Sequence, residues 1–257
     1  LQINFLPRIF PVIKNGLIMT DLIEDIINFF EAQKRLYGKI RPLESMVDYR
    51  IPGLPTAQDG AATGNEVMPV VRDQTRPLLT FHREIKDCQR CALGMTRTHF
   101  VFGVGNPNAD LMFVGEAPGR DEDLQGIPFV GRAGQLLTLM IQAIGLKRED
   151  VYIANVLKCR PPNNRDPLPA EIEKCEPYLL KQIELIAPKL IVALGRFACA
   201  SLLKTTEALG SLREKIHSYN EVPLVVTYHP AALLRNPSLK KQTWDDLKRI
   251  YVYLNEN

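Results

Sequence analysis

An α/β fold built on a small, mainly parallel sheet of four strands is what this sequence predicts, and two observations predict it. Beyond residue 80, short apolar runs of strand length alternate with longer runs of helical period. That alternation implies parallel strands joined by helical crossovers, with the sheet covered on both faces. Second, three of the four strand candidates stop abruptly at polar loops rich in glycine or proline. Open α/β sheets place their ligands at the carboxyl edge of the strands, so loops that converge there are candidates for one composite site.

The 257-residue chain can bury one sizeable core, and its 46% apolar content is ordinary for a globular protein. No apolar run is long enough to span a membrane, because the most apolar early segment, Ile9 to Met19, is short and carries Lys14. That segment is also a poor secretory signal, so the cytoplasm is the expected compartment. The formal charge of +3 lies wholly beyond residue 87, since acidic and basic residues balance before it. A modest basic excess permits phosphate contact without demanding it.

Taken in order, the elements are as follows. Thr20 or Asp21 caps an amphipathic helix whose apolar positions, Leu22, Ile26, Phe29, Phe30 and Leu36, recur at helical spacing as far as Gly38. Met19 is the expected biological start, which makes residues 1–18 an upstream extension of the 1–40 segment. Residues 41–80 are rich in Pro, Gly, Ala and Thr and too poor in large apolar side chains to offset their ordering entropy, so they read as a flexible linker. The folded unit is then 81–257. Its strand candidates are Leu111–Val114, Val151–Val156, Leu190–Leu194 and Leu224–Thr227, and its helices are Ala133–Ile144, Ala170–Ile186, Arg196–Leu203 and Leu239–Leu254.

The loop Gly115-Glu116-Ala117-Pro118-Gly119, entered straight from the first strand, is the leading active-site candidate. It continues to Gly126-Ile127-Pro128-Phe129-Val130-Gly131, where glycine and proline fix an irregular path around one aromatic. Taken alone, such a loop also fits a plain β-to-α connection. The other two polar loops run from Asn155 to Arg165 and begin at His229-Pro230.

Four of the five cysteines fall as Cys88-Gln89-Arg90-Cys91, then Cys159, then Cys175. In a cytosolic chain such thiols serve as metal ligands more often than as disulfides, and both zinc and a [4Fe–4S] cluster fit a four-cysteine set. Cys199 lies at helical spacing beside Ala198, Ala200 and Leu202 and reads as core.

Together these motifs resemble those of the family 4 uracil-DNA glycosylases, the iron–sulfur branch of the uracil-DNA glycosylase superfamily. The matching residues are Gly115 to Gly119, Pro128-Phe129-Val130-Gly131, Asn155 within Ile153-Ala154-Asn155-Val156, Lys158-Cys159-Arg160-Pro161-Pro162, and His229-Pro230-Ala231-Ala232-Leu233-Leu234-Arg235. The resemblance spans about Cys88 to Leu254. It implies a three-layer αβα sandwich, a [4Fe–4S] cluster on Cys88, Cys91, Cys159 and Cys175, and hydrolysis of the uracil N-glycosidic bond in DNA, single- or double-stranded, by a monomer.

The roles it implies agree with side-chain chemistry. Phe129 offers a flat surface to an everted base, and Asn155 can accept from uracil N3–H while donating to O4. His229 faces O2, where negative charge collects as the bond breaks. Glu116 is the only carboxylate of the first motif and is assigned to arranging the water or supporting the base pocket. Gly115, Ala117 and Gly119 line the pocket. Ala117 and Gly119 stand where the best-known branch has Asp and Tyr, so water positioning and thymine exclusion must differ here. Leu233 and Leu234 are candidate wedges for the vacated stack, and Arg235, Arg160, Lys240 and Lys241 candidate phosphate contacts. The competing readings are a relative with a shifted preference among deaminated bases and a non-catalytic, polymerase-associated DNA-binding module.

Overall fold

The computed structural model describes residues 73–256. The expected start at Met19, the helix between Thr20 and Gly38 and the linker as far as residue 72 lie outside the described residues. A first helix, α1 (Thr75–Ile85), begins inside the stretch expected to be linker. Its Leu78 and Ile85 are buried against the main body, and Pro77 falls in the first turn, where no amide donor is needed. The described fold therefore includes residues from Thr75 onward, ahead of the expected boundary at residue 81.

The elements that follow are α2 (Leu93–Thr96), β1 (Val104–Gly105), β2 (Leu111–Gly115), α3 (Arg120–Gln125), α4 (Arg132–Ala143), β3 (Tyr152–Asn155), α5 (Pro169–Ile186), β4 (Leu190–Leu194), α6 (Gly195–Leu203), α7 (Leu209–Leu212), β5 (Ile216–Tyr219), β6 (Val222–Thr227), α8 (Pro230–Arg235) and α9 (Lys240–Glu256). They form one six-stranded sheet in the order β1-β3-β2-β4-β6-β5. The four strands expected from sequence are its centre, where β3, β2, β4 and β6 run parallel. The expected four-stranded sheet is corrected by an antiparallel strand at each edge. β1 is only two residues long and exposed, so it carries no apolar run. β5 is joined to β6 by Asn220-Glu221, both at positive φ (48° and 67°), the geometry of a two-residue hairpin turn without its usual glycine.

Side chains alternate across the central strands and build a core on each face. Met112, Val114, Ile191, Ala193, Leu224 and Val226 pack with α1, α5 and α6 on one side. Phe113, Ile153, Val192 and Val225 pack with α4, α8 and α9 on the other. Cys199 is buried in the first of these cores, as its helical spacing predicts. Since all four central strands are parallel, the loops after β2, β3, β4 and β6 leave from one edge. Among the described residues no helix is long and apolar enough to cross a membrane.

Candidate active site

Gly115 and Asn155 are register partners at the carboxyl ends of β2 and β3. A Cβ at Gly115 would collide with Asn155 Oδ1 and come within 2.6 Å of Phe129 Cζ. Glycine is needed here because the carboxamide and the ring close over the strand end. Phe129 is held at φ +53° and is almost completely buried. The Phe129 ring centroid stands 5.5 Å from that of His229, with the planes tilted by 31°. Behind His229, Gly195 sits at φ +85°, and a Cβ there would come within 2.8 Å of His229 Cβ. Phe129, Asn155 and His229, predicted from three separate loops, therefore meet around one point.

The polar atoms around that point are unequally satisfied. Asn155 is 2% exposed, and its buried Oδ1 has no hydrogen-bond partner among the described residues. Leaving a buried acceptor unpaired costs about 1–3 kcal/mol, so this atom marks a place for a donor from elsewhere. His229 caps α8, its Nδ1 accepting from the Ala231 N–H at 3.1 Å. An accepting Nδ1 puts the ring proton on Nε2 and makes that nitrogen the donor. Burial, reinforced by the Arg235 charge, pushes the His229 pKa down to about 4, so the ring is neutral at physiological pH. Glu116 is half-buried, and its pKa is pushed up to about 7 by burial first and the Asp166 charge second, against the pull of Arg196.

Two further residues that the sequence reading passed over hold the Phe129 loop. Glu122 accepts from the N–H groups of Gly119 (3.1 Å), Val130 and Gly131 (both 2.9 Å), and Arg148 donates to the Pro128 carbonyl at 2.7 Å. Gly119 is the N-cap of α3 without a side chain to cap it, and Glu122 closes back on the Gly119 N–H, so the Gly-x-x-Glu spacing was the signal available. Gly119 is thus engaged with Glu122. Ala117 packs beside the cysteines.

The cysteines also come together. Cys159 and Cys175 are buried with Leu93 and Leu157, Cys91 packs against them, and the charge of Cys88 acts on Cys159. Three of the sulfurs already accept from the protein. Cys88 accepts from the Tyr178 hydroxyl (3.1 Å) and the Arg90 N–H (3.4 Å), Cys159 from Arg97 Nη1 (3.3 Å), and Cys175 from the Lys158 N–H (3.3 Å). Such donors suit anionic sulfur and are the outer contacts that metal-bound thiolates carry. Among the described residues no three His, Cys, Asp or Glu side chains close to the spacing of a single metal ion. A cluster takes one thiolate per iron, and four thiols whose sulfurs meet such donors have the chemistry to hold one.

Comparison with known proteins matches the sequence to a family. The family model described as the uracil DNA glycosylase superfamily matches residues 102–248. The type-4 uracil-DNA glycosylase of Archaeoglobus fulgidus is 51% identical over 176 residues, 65% of this chain and 88% of that protein. The chain belongs to that superfamily, in its type-4 branch. The type-4 uracil-DNA glycosylase of Saccharolobus solfataricus is 47% identical over 65% of this chain and 82% of its own length. That of Thermotoga maritima is 40% identical over 76% of this chain and 98% of its own.

For a member of this family, one expected DNA contact has to be corrected. Leu233 has no exposed surface and is a core residue beneath α4 and α9, so it is not available as a wedge. In a helix of six residues, adjacent leucines point to different sides, and the inward one is Leu233. Leu234 is half-buried and Arg235 exposed. Arg160 lies in the loop after β3, its Nε held by Asn164 Oδ1 at 2.7 Å.

Proposed function

We propose that this chain is a DNA-repair hydrolase that cleaves the N-glycosidic bond between uracil and deoxyribose, leaving an abasic site, with the chemistry carried by the Phe129, Asn155 and His229 group. Its family and its type-4 relatives support this reading. The single observation that carries it is the unpaired, buried Oδ1 of Asn155 beside an aromatic ring and a neutral imidazole.

Uracil reaches such a pocket only by leaving the stack, at a cost of about a few kcal/mol. Stacking on Phe129 returns roughly 1–3 kcal/mol. Uracil N3–H satisfies Asn155 Oδ1, and the Asn155 amide donates to O4. Cytosine presents the reverse pattern at both positions and leaves a buried group unpaired, at about 1–3 kcal/mol each. As the glycosidic bond lengthens, negative charge gathers on uracil O2, and the Nε2–H of His229 is the donor aimed at it. A preorganised donor of this kind contributes about 3–4 kcal/mol. A neutral imidazole suits the role, since it donates without transferring its proton. Glu116 supports the water on the opposite side of the sugar and, near neutral pH, shifts between its protonated and ionised forms. Leu234 fills the vacated stack, and Arg235 and Arg160 hold phosphates.

Cys88, Cys91, Cys159 and Cys175 would hold a [4Fe–4S] cluster, which when bound supplies a cross-link between the segment after α1, the loop after β3 and α5. The active form is taken to be a monomer acting on single- or double-stranded DNA. Incubation with oligonucleotides carrying uracil, hypoxanthine or a thymine mismatch, followed by alkali, tests the assignment. Strand breaks at uracil are expected. Breaks at hypoxanthine alone would transfer the chain to a different base, and none at any base would remove the hydrolase reading.

A further inference from the structure

Lys158 has 0% exposure, yet it carries an ammonium group. Burying such a charge costs several kcal/mol unless opposite charge and good hydrogen bonds surround it. Its Nζ donates to the Asn155 carbonyl at 2.7 Å and to Gln182 Oε1 at 2.6 Å. Gln182 is fixed in turn by donating to the Phe102 carbonyl at 2.9 Å and the Tyr152 hydroxyl at 3.3 Å. The Lys158 main chain is equally committed, its N–H to Cys175 Sγ at 3.3 Å and its carbonyl to the Val101 N–H at 2.8 Å.

One residue therefore touches both halves of the site. We propose that Lys158 is a positioning residue that ties the sulfur group to the end of β3, its main-chain N–H on Cys175 and its ammonium on the Asn155 carbonyl together fixing the peptide from which the Asn155 carboxamide projects. This rests on the reading of Asn155 as the base reader. The Asn155 acceptor has no protein partner, so its aim depends on how firmly the peptide behind it is held. The three-residue return from Lys158 to the Asn155 carbonyl supplies that constraint from behind. The cysteine group then acts on base recognition through this ammonium, as well as clamping the fold.

The test uses the cluster-loaded full chain and the variants K158M, K158R, Q182M, N155A, K158M/N155A and Q182M/N155A. Single-turnover kcat and KM on uracil-DNA are measured beside the visible absorption and midpoint potential of the cluster. K158M is expected to keep the cluster absorption and to lower kcat roughly 10–100-fold, the usual range for an outer-contact residue, with KM little changed. Its midpoint potential should move negative, because a neighbouring positive charge has gone. K158R should recover part of kcat and most of the potential. In the N155A background K158M should cost nothing further, since both act through one carboxamide.

A wild-type kcat in K158M, an unmoved potential, or losses that multiply in the double variant would each overturn the proposal. If K158M does not fold, Q182M decides. It keeps the charge but removes one anchor, and it should lose several-fold in kcat alone and nothing in the N155A background. Full activity in Q182M would then overturn the proposal. N155A at wild-type rate would sink the base-reader reading and this inference with it, whereas inactive N155A beside active K158M sinks this inference alone.

Discussion

The pocket around Asn155 and the cysteine group four residues further along the chain are built on opposite plans. In the cysteine group, three sulfurs already receive donors from Tyr178, Arg90, Arg97 and Lys158. In the pocket the surroundings are pinned just as firmly, Glu122 and Arg148 holding the Phe129 loop, yet the Asn155 acceptor at its centre is left open. A region that satisfies its own polar atoms is stabilising the fold. A region that immobilises its walls and leaves one atom wanting is prepared for a partner, and the missing hydrogen bond defines that partner's shape.

The contrast is broken most severely at His229. H229A is expected to lower single-turnover kcat by about 10²–10³, the loss typical of one oxyanion donor, while binding to uracil-DNA changes little. A parallel loss of DNA affinity would make His229 a contact for the phosphodiester chain and remove it from O2. Next in size is N155D. Removing the amide donor and placing an acceptor against O4 should reduce uracil excision by about 10–100-fold, equivalent to one or two unsatisfied groups. Retention of full rate and of selectivity over cytosine would show that the open Oδ1 is not the base reader.

How far such residues were legible in advance depended on whether a local rule governed them. The central strands were readable because buried parallel strands are continuous apolar runs, as in Leu190–Leu194. The edge strands were not, since β1 is two exposed residues and the β5–β6 turn uses Asn220-Glu221 in place of a glycine pair. Phe129, Asn155 and His229 were found through motif resemblance, and their mutual closeness is a tertiary fact that no spacing contains. Lys158 was quoted within a motif and left without a role, because a lysine in a loop is ordinarily solvated and only the fold buries it. Leu233 and Leu234 could not be told apart, as a single turn of helix has too few residues to show a period.

The sulfur side of the comparison can be attacked separately. C175S should abolish the broad visible absorption of the cluster and lower Tm by at least about 2–4 °C, the shift that 1 kcal/mol produces in a domain of this size. H229A and N155D should leave the absorption unchanged, although a lost α8 cap and a buried carboxylate each lower Tm. Loss of the absorption in either pocket variant would mean that the two regions are a single structural unit and that the division drawn between them is wrong.

The smallest effect expected is at Glu116, and it concerns pH. Burial and the Asp166 charge hold this carboxyl half-protonated near pH 7, whereas His229 stays neutral down to about pH 4. As pH falls through 7, Glu116 takes up a proton and loses the charge that orients water, so kcat should decline on the acid side with a midpoint near 7. E116Q should flatten that limb and reduce the plateau only several-fold, because stabilising the departing uracil, and not deprotonating water, carries most of the reaction. D166N should move the midpoint downward, since it removes the like charge that raises Glu116. An acid limb that persists in E116Q with its midpoint unmoved would assign the titration to another group and leave Glu116 as a wall of the pocket.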